Sequence, residues 1–163
     1  MQPQEQMLRE AKTIAVVGLS SDESRPSYRV ARYLQSKGYR IIPVNPDETE
    51  VLAERSYPSL TDVPEPVDMI DVFRRPQFVR PIVEEAVRLG IPRIWLQDGV
   101  IDDAAADFAK RAGVQVVMND CTMHVHNRLR LSRRPYPHPN PLPEGEGIKK
   151  GPLPQARGED PKC

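Results

Sequence analysis

The 163-residue sequence predicts an α/β fold, a doubly wound parallel sheet of about five strands in a single domain. Three observations carry that expectation. Ile14, Ala15, Val16 and Val17 form a nearly continuous apolar run closed by Gly18, the pattern of a strand buried on both faces. The stretch from Thr13 to Pro46 reads as strand, loop, helix, strand. Over the whole chain the alternation is β-α-β-loop-β-α-β-α-β, and right-handed crossovers restrict such a chain to a doubly wound order such as 3-2-1-4-5.

Each element has its own signal. Residues 1 to 12 have helical composition, with Met7, Leu8 and Ala11 on one apolar face. After the first strand, Leu19 to Arg25 is a polar loop. Pro26 suits the first turn of a helix, Ser24 is a possible cap, and Val30, Ala31, Tyr33 and Leu34 supply the buried stripe. Lys37 and Gly38 end that helix, and Tyr39 to Val44 is the second strand. Asp47 to Pro66 is connection. Val67, Met69, Ile70, Val72 and Phe73 make the third strand, and Phe78 to Leu89 recurs at helical spacing until Gly90. Arg93 to Gln97 is the fourth strand, Asp102 to Ala112 a helix begun by Asp102 or Asp103, and Val114 to Met118 the fifth strand. The domain is expected to span residues 1–130. Residues 131–163, with eight prolines from Pro135 to Pro161 and almost no large apolar groups, read as a disordered tail.

Composition narrows the function classes. With 39% apolar and 28% charged residues the chain is large enough to bury a core. No apolar run approaches the roughly 20 residues that span a bilayer, and MQPQEQMLREAK lacks a secretory core, so a cytoplasmic location without membrane contact is expected. Cys121 and Cys163 are far apart in the chain, which argues against a structural disulfide. Of 23 bases and 23 acids, eight bases and four acids fall in residues 128–163, leaving 15 and 19 in the body. A mildly acidic body excludes nucleic acid as the expected partner. The sequence names no protein partner.

Ligands of open parallel sheets bind beyond the carboxyl ends of the strands where the order reverses, here expected at strands one and four. The candidates are Gly18, Leu19, Ser20 and Ser21 after strand one; Arg25, Pro26, Ser27, Tyr28 and Arg29 at the helix start; Val44, Asn45 and Pro46 after strand two; Phe73, Arg74 and Arg75 after strand three; and Gln97, Asp98 and Gly99 after strand four. A glycine at the end of a first strand admits a phosphate to the backbone, and the following helix offers free N–H groups. Arg25 and Arg29 suit a phosphate or pyrophosphate, or else are solvated surface arginines. The dinucleotide fingerprint is reduced to Gly18 alone, and Asn45 and Pro46 stand where an acid would bond a ribose hydroxyl. No Gly-Lys-Ser/Thr occurs.

These residues match a known pattern. VVGLS, RPSYRVARYLQSKGYRIIPVNP, YPSL, PEPVDMIDVFRRP, WLQDGV and the Cys121 to His126 region resemble the small stand-alone CoA-binding domain proteins, which are similar to the N-terminal CoA-binding domain of the succinyl-CoA synthetase alpha subunit. The resemblance covers about residues 5 to 130. It implies a Rossmann-like fold with coenzyme A as its ligand. The family's phosphate loop would fall on Gly18 to Ser20 and on RPSYR, the adenine and 3′-phosphate region near Asn45, Pro46, Phe73 and Arg74, and the pantetheine path near Gln97 and Gly99. The chain departs from the family's usual Asp-Arg-Cys at Asn119, Asp120 and Cys121, and from its basic residue and acid at Met123 and Val125; His126 keeps the family position and His124 is extra.

Cys121, His124 and His126 supply three soft ligands, but no fourth is evident and the spacing fits no common zinc site, so no metal is expected. A thiol beside His126 is either an activated nucleophile or a buried small hydrophobe. No catalytic residue is assigned. The expected function is binding of CoA or acyl-CoA without evident catalytic machinery. The alternatives are a small NAD(P)-dependent oxidoreductase, a Cys121-dependent acyl-CoA enzyme, and a ligand-regulated interaction module.

Overall fold

A computed structural model describes residues 1–132. Helix α1 (Pro3–Glu10) precedes strand β1 (Thr13–Val17), helix α2 (Pro26–Ser36) and strand β2 (Arg40–Val44). A small hairpin of β3 (Glu50–Val51) and β4 (Glu54–Arg55) follows, then β5 (Met69–Val72), α3 (Val79–Arg88), β6 (Arg93–Leu96), α4 (Asp103–Arg111), β7 (Gln115–Met118) and α5 (Thr122–Leu129). The main sheet has five parallel strands in the order β2-β1-β5-β6-β7.

The α/β class with a doubly wound parallel sheet stands, and the strand order is corrected. Counting main-sheet strands along the chain, the order is 2-1-3-4-5 rather than 3-2-1-4-5. The cause lies between β2 and β5, where the chain forms no α-helix that could carry a right-handed crossover outward from β2. The connection instead lays Tyr57 along β2: its amide donates to Pro43 O at 3.1 Å and its carbonyl accepts from Asn45 N–H at 2.8 Å. With that flank taken, the third strand pairs with β1 on the other side. The order therefore reverses between the first and third strands, not the first and fourth.

Strand alternation sends side chains to two cores. Ile14, Val16, Ile41, Met69 and Trp95 join α1, α2 and α5 in one; Ala15, Val17, Ile70, Val72, Ile94 and Leu96 join α3 and α4 in the other. Pro26 opens α2 as expected, but its cap position is Arg25, and the Ser24 hydroxyl bonds Asp22 instead of the helix. Asp102 does cap α4, accepting from Ala105 N–H at 3.0 Å. The fifth helix is an addition to the sequence reading. Its sequence, TMHVHNRL, carries β-branched residues, no side-chain cap at Cys121 and no closing glycine, since Arg130 takes the left-handed turn at φ 54°. Among the described residues no helix is long and apolar enough to cross a membrane. The reading of residues 131–163 as a tail falls almost wholly outside the described residues; Leu131 still packs against the first core.

Candidate functional site

A cleft of about 850 Å³ lies over the carboxyl ends of four neighbouring strands. Across the sheet its lining comes from Asn45, Asp47 and Glu48 after β2; Gly18 and Ser20 after β1, with Arg25, Pro26 and Ser27 at the start of α2; Phe73, Arg74, Arg75 and Pro76 after β5; and Gln97, Asp98, Gly99 and Val100 after β6. Asn119, at φ 61° beyond β7, closes the far end by accepting from Gly99 N–H at 2.8 Å. Gly18 sits where the wall is tightest. At φ +91°, a Cβ there would stand 2.5 Å from the Phe73 carbonyl oxygen, so only glycine lets the ends of β1 and β5 approach so closely.

The turn after β1 is more self-contained than the sequence implies. Ser20 N–H donates to Ser27 Oγ at 3.1 Å, Ser21 N–H to Glu48 Oε2 at 2.8 Å, Asp22 N–H to Ser20 Oγ at 3.0 Å and Ser24 N–H to Asp22 Oδ1 at 3.0 Å. Pro26 contributes no N–H, and Tyr28 N–H donates to Arg25 O. These amides are thus committed to side chains of the loop and helix start, to Glu48 after β2 and to the Arg25 carbonyl, and the positive charge at this wall is Arg25, whose guanidinium lies 4.0 Å from Asp22.

Below the cleft floor sits a buried polar cluster. Gln97 Nε2 donates to Asp71 Oδ1 at 2.7 Å and to Thr122 Oγ1 at 2.8 Å, and Thr122 Oγ1 donates to Asp71 Oδ2 at 2.9 Å. All three residues are buried. Burial pushes the Asp71 carboxyl up to about 7 against the downward pull of these two donors. Gln97 Oε1 is buried without a hydrogen-bond partner among the described residues. The cluster ties the cleft floor to the first turn of α5.

Twelve of the eighteen residues singled out from sequence line the cleft: Gly18, Ser20, Arg25, Pro26, Ser27, Asn45, Phe73, Arg74, Arg75, Gln97, Asp98 and Gly99. The other six do not. Leu19 is fully buried in the first core and Val44 in the second, Tyr28 packs against the first core beneath Arg32, Ser21 is exposed and bonds Glu48, Arg29 donates to Ser24 O at 2.8 Å, and Pro46 is exposed at the edge of the loop. Sequence reasoning missed Asp47, Glu48, Pro76, Val100 and Asn119. Asp47 and Glu48 follow Asn45 and Pro46 directly, and the Asn45 side chain turns the loop by accepting from Asp47 N–H at 2.9 Å while donating to Leu19 O at 3.0 Å. An Asx turn after a Pro-Val-Asn-Pro strand end was the available signal.

Cys121, His124 and His126 lie outside the cleft lining. Cys121 and His126 are buried, and His126 packs edge-on to Tyr33 and Tyr39 with Nδ1 2.9 Å from the Tyr33 hydroxyl. Burial pushes that hydroxyl up to about 12. Among the described residues no three His, Cys, Asp or Glu side chains gather as a metal site. The expectation for the cysteine pair turns on Cys163, which lies outside the described residues.

A family model described as a CoA binding domain matches residues 12–127. The uncharacterized protein YneT of Bacillus subtilis is 36% identical over 121 residues, 74% of this chain and 90% of that protein. A solved structure of cell-free ID.343 from Thermus thermophilus superposes with a TM-score of 0.75 at 42% identity, covering 79% of this chain and 99% of the other. An ADP-forming acetate–CoA ligase II of Archaeoglobus fulgidus is 32% identical over 82 residues, but the match spans only 12% of that enzyme.

Proposed function

This chain belongs to the CoA binding domain family, and from that membership we propose that it binds coenzyme A or an acyl-CoA in the cleft over β2, β1, β5 and β6. The observation that carries the reading is the meeting of Gly18, Arg25 and Arg74 at the point where the strand order reverses. The residues fit the group. The cleft volume is that of a cofactor site, a glycine gives close backbone approach, and guanidinium groups offer charge-assisted hydrogen bonds to a diphosphate. Gln97 and Gly99, two strands away, would face the pantetheine arm.

The reading is binding rather than catalysis. Among the described residues that line the cleft there is no Cys, His or Lys, and the Ser27 hydroxyl is engaged by Ser20 N–H. The matched ligase carries its own activity in a much longer chain, so no ligase chemistry is transferred. A cytoplasmic setting, in which CoA is at hand, accords with this reading.

Thermal unfolding of the full chain with CoA, acetyl-CoA, NAD and NADP tests it. A ligand at 100 times its dissociation constant adds about 2.7 kcal/mol of stability. Stabilisation by CoA or acetyl-CoA is expected; stabilisation by NAD or NADP and not by CoA overturns the reading in favour of a nicotinamide cofactor.

A further inference from the structure

The charges that line the cleft are sorted by strand. Asp47 and Glu48 follow β2, Arg74 and Arg75 follow β5 on the opposite side of β1 with Asp98 beyond them after β6, and Arg25 stands between the β2 and β5 groups at the start of α2. The β2 end therefore carries two carboxylates and contributes no cation to the lining. Of the bases that flank this segment in sequence, Arg40 pairs with Glu54 and Glu65, and Arg55 stacks over the Tyr57 ring at 5.4 Å; neither is a lining residue. Arg74 is held on its own side, its guanidinium 4.6 Å above the Phe78 ring.

Glu48 is held in place, its Oε2 accepting from both Ser21 N–H and Ser21 Oγ–H, at 2.8 and 3.0 Å, while Asp47 is exposed beside it on a backbone fixed by the hydrogen bond from its amide to Asn45 Oδ1. A fixed carboxylate at the end of the second strand of a doubly wound sheet is the group that accepts from ribose hydroxyls when a diphosphate sits at the first helix. A phosphate on that ribose would instead meet two like charges.

We propose that Asp47 and Glu48 select the adenosine end of the ligand by its unphosphorylated ribose, so that the cleft prefers a CoA-type ligand lacking the 3′-phosphate. This inference rests on the proposed CoA reading and moves the 3′-phosphate away from the Asn45 and Pro46 region that the family resemblance implies.

Isothermal titration of the full chain with CoA and with 3′-dephospho-CoA tests it, in the wild type and in the Asp47→Asn/Glu48→Gln double variant. The two substitutions keep size and turn geometry and remove only charge. Wild type is expected to bind 3′-dephospho-CoA about tenfold more tightly than CoA, the scale of a like-charge contact at a half-exposed site. The double variant closes the gap by gaining affinity for CoA, and the wild-type gap narrows at high salt. Tighter wild-type binding of CoA than of its dephospho form, or a gap that the double variant leaves unchanged, overturns the inference while leaving the CoA reading intact. Binding of neither ligand overturns the CoA reading and this inference with it.

Discussion

Replacing Asp71 by asparagine removes the titrating group buried under the cleft, and its effect on stability follows from the cluster's geometry. The native state holds the Asp71 proton up to about pH 7, whereas the carboxyl's ordinary value is 3.8, so the folded chain carries the extra proton between those limits. Stability then falls as pH rises from about 4 to about 7 and levels off above. Ionising a carboxyl held near 7 instead of near 4 costs the folded state on the order of 4 kcal/mol. In Asp71→Asn the new side chain mimics the protonated acid. Its carbonyl accepts from the Thr122 hydroxyl, and its amide can donate to Gln97 Oε1, the atom now without a partner, once the Gln97 amide turns over. Urea unfolding from pH 5 to pH 9, followed by the fluorescence of Trp95, the only tryptophan, reads the difference. Near pH 5 the two proteins are expected to be of similar stability, and near pH 8 the variant to be the more stable by a few kcal/mol. Titrations shared by both proteins cancel. Parallel stability curves over the whole range would refute the reasoning, because Asp71 would then titrate alike in folded and unfolded chains.

Four further outcomes are expected. Gly18→Ala puts a Cβ 2.5 Å from a backbone oxygen at φ +91°, and should cost about 2 kcal/mol or more in urea unfolding and weaken CoA binding with it. Arg25→Ala should weaken CoA binding about tenfold in calorimetry, since a charged hydrogen bond is lost at the cleft wall, while Arg29→Ala, outside the lining, should do less. Arg40 joins Glu54 at 2.9 Å and Glu65 at 2.6 Å beside the start of β2, so Arg40→Met should destabilise by about 3 kcal/mol with CoA affinity unchanged. Ala53 turns the β3–β4 hairpin at φ 65°, and Ala53→Gly should raise stability by about 0.5 kcal/mol through relief of a left-handed residue.

The five main strands were legible because each is a short apolar run bounded by glycine, proline or charge, and helices α1 to α4 because apolar residues recur on one face. The order of the strands was not. It depends on what fills a connection, and the β3–β4 hairpin that replaces a crossover helix turns through Leu52 and Ala53, both at positive φ, without the Asn-Gly or Asp-Gly that marks such a turn in sequence. At the site, the residues found from sequence are those at strand ends and at the start of α2, where topology alone brings them together. Asp47 and Glu48 escaped because their position depends on the side chain of Asn45 rather than on any periodicity. Asp71 escaped for a different reason: within MIDV it reads as one polar interruption of a strand, and only the arrival of α5 supplies the Thr122 hydroxyl that makes its burial tolerable.

Pro43 and its neighbours carry a consequence for assembly. A strand laid against the outer side of β2 would find no amide at Pro43, the Pro43 carbonyl engaged by Tyr57 and the Asn45 amide engaged as well. Edge-to-edge growth, the usual hazard of an open sheet, is therefore closed off along this stretch of the molecule. If copies of this chain associate, helices or loops must meet there in place of a continued sheet.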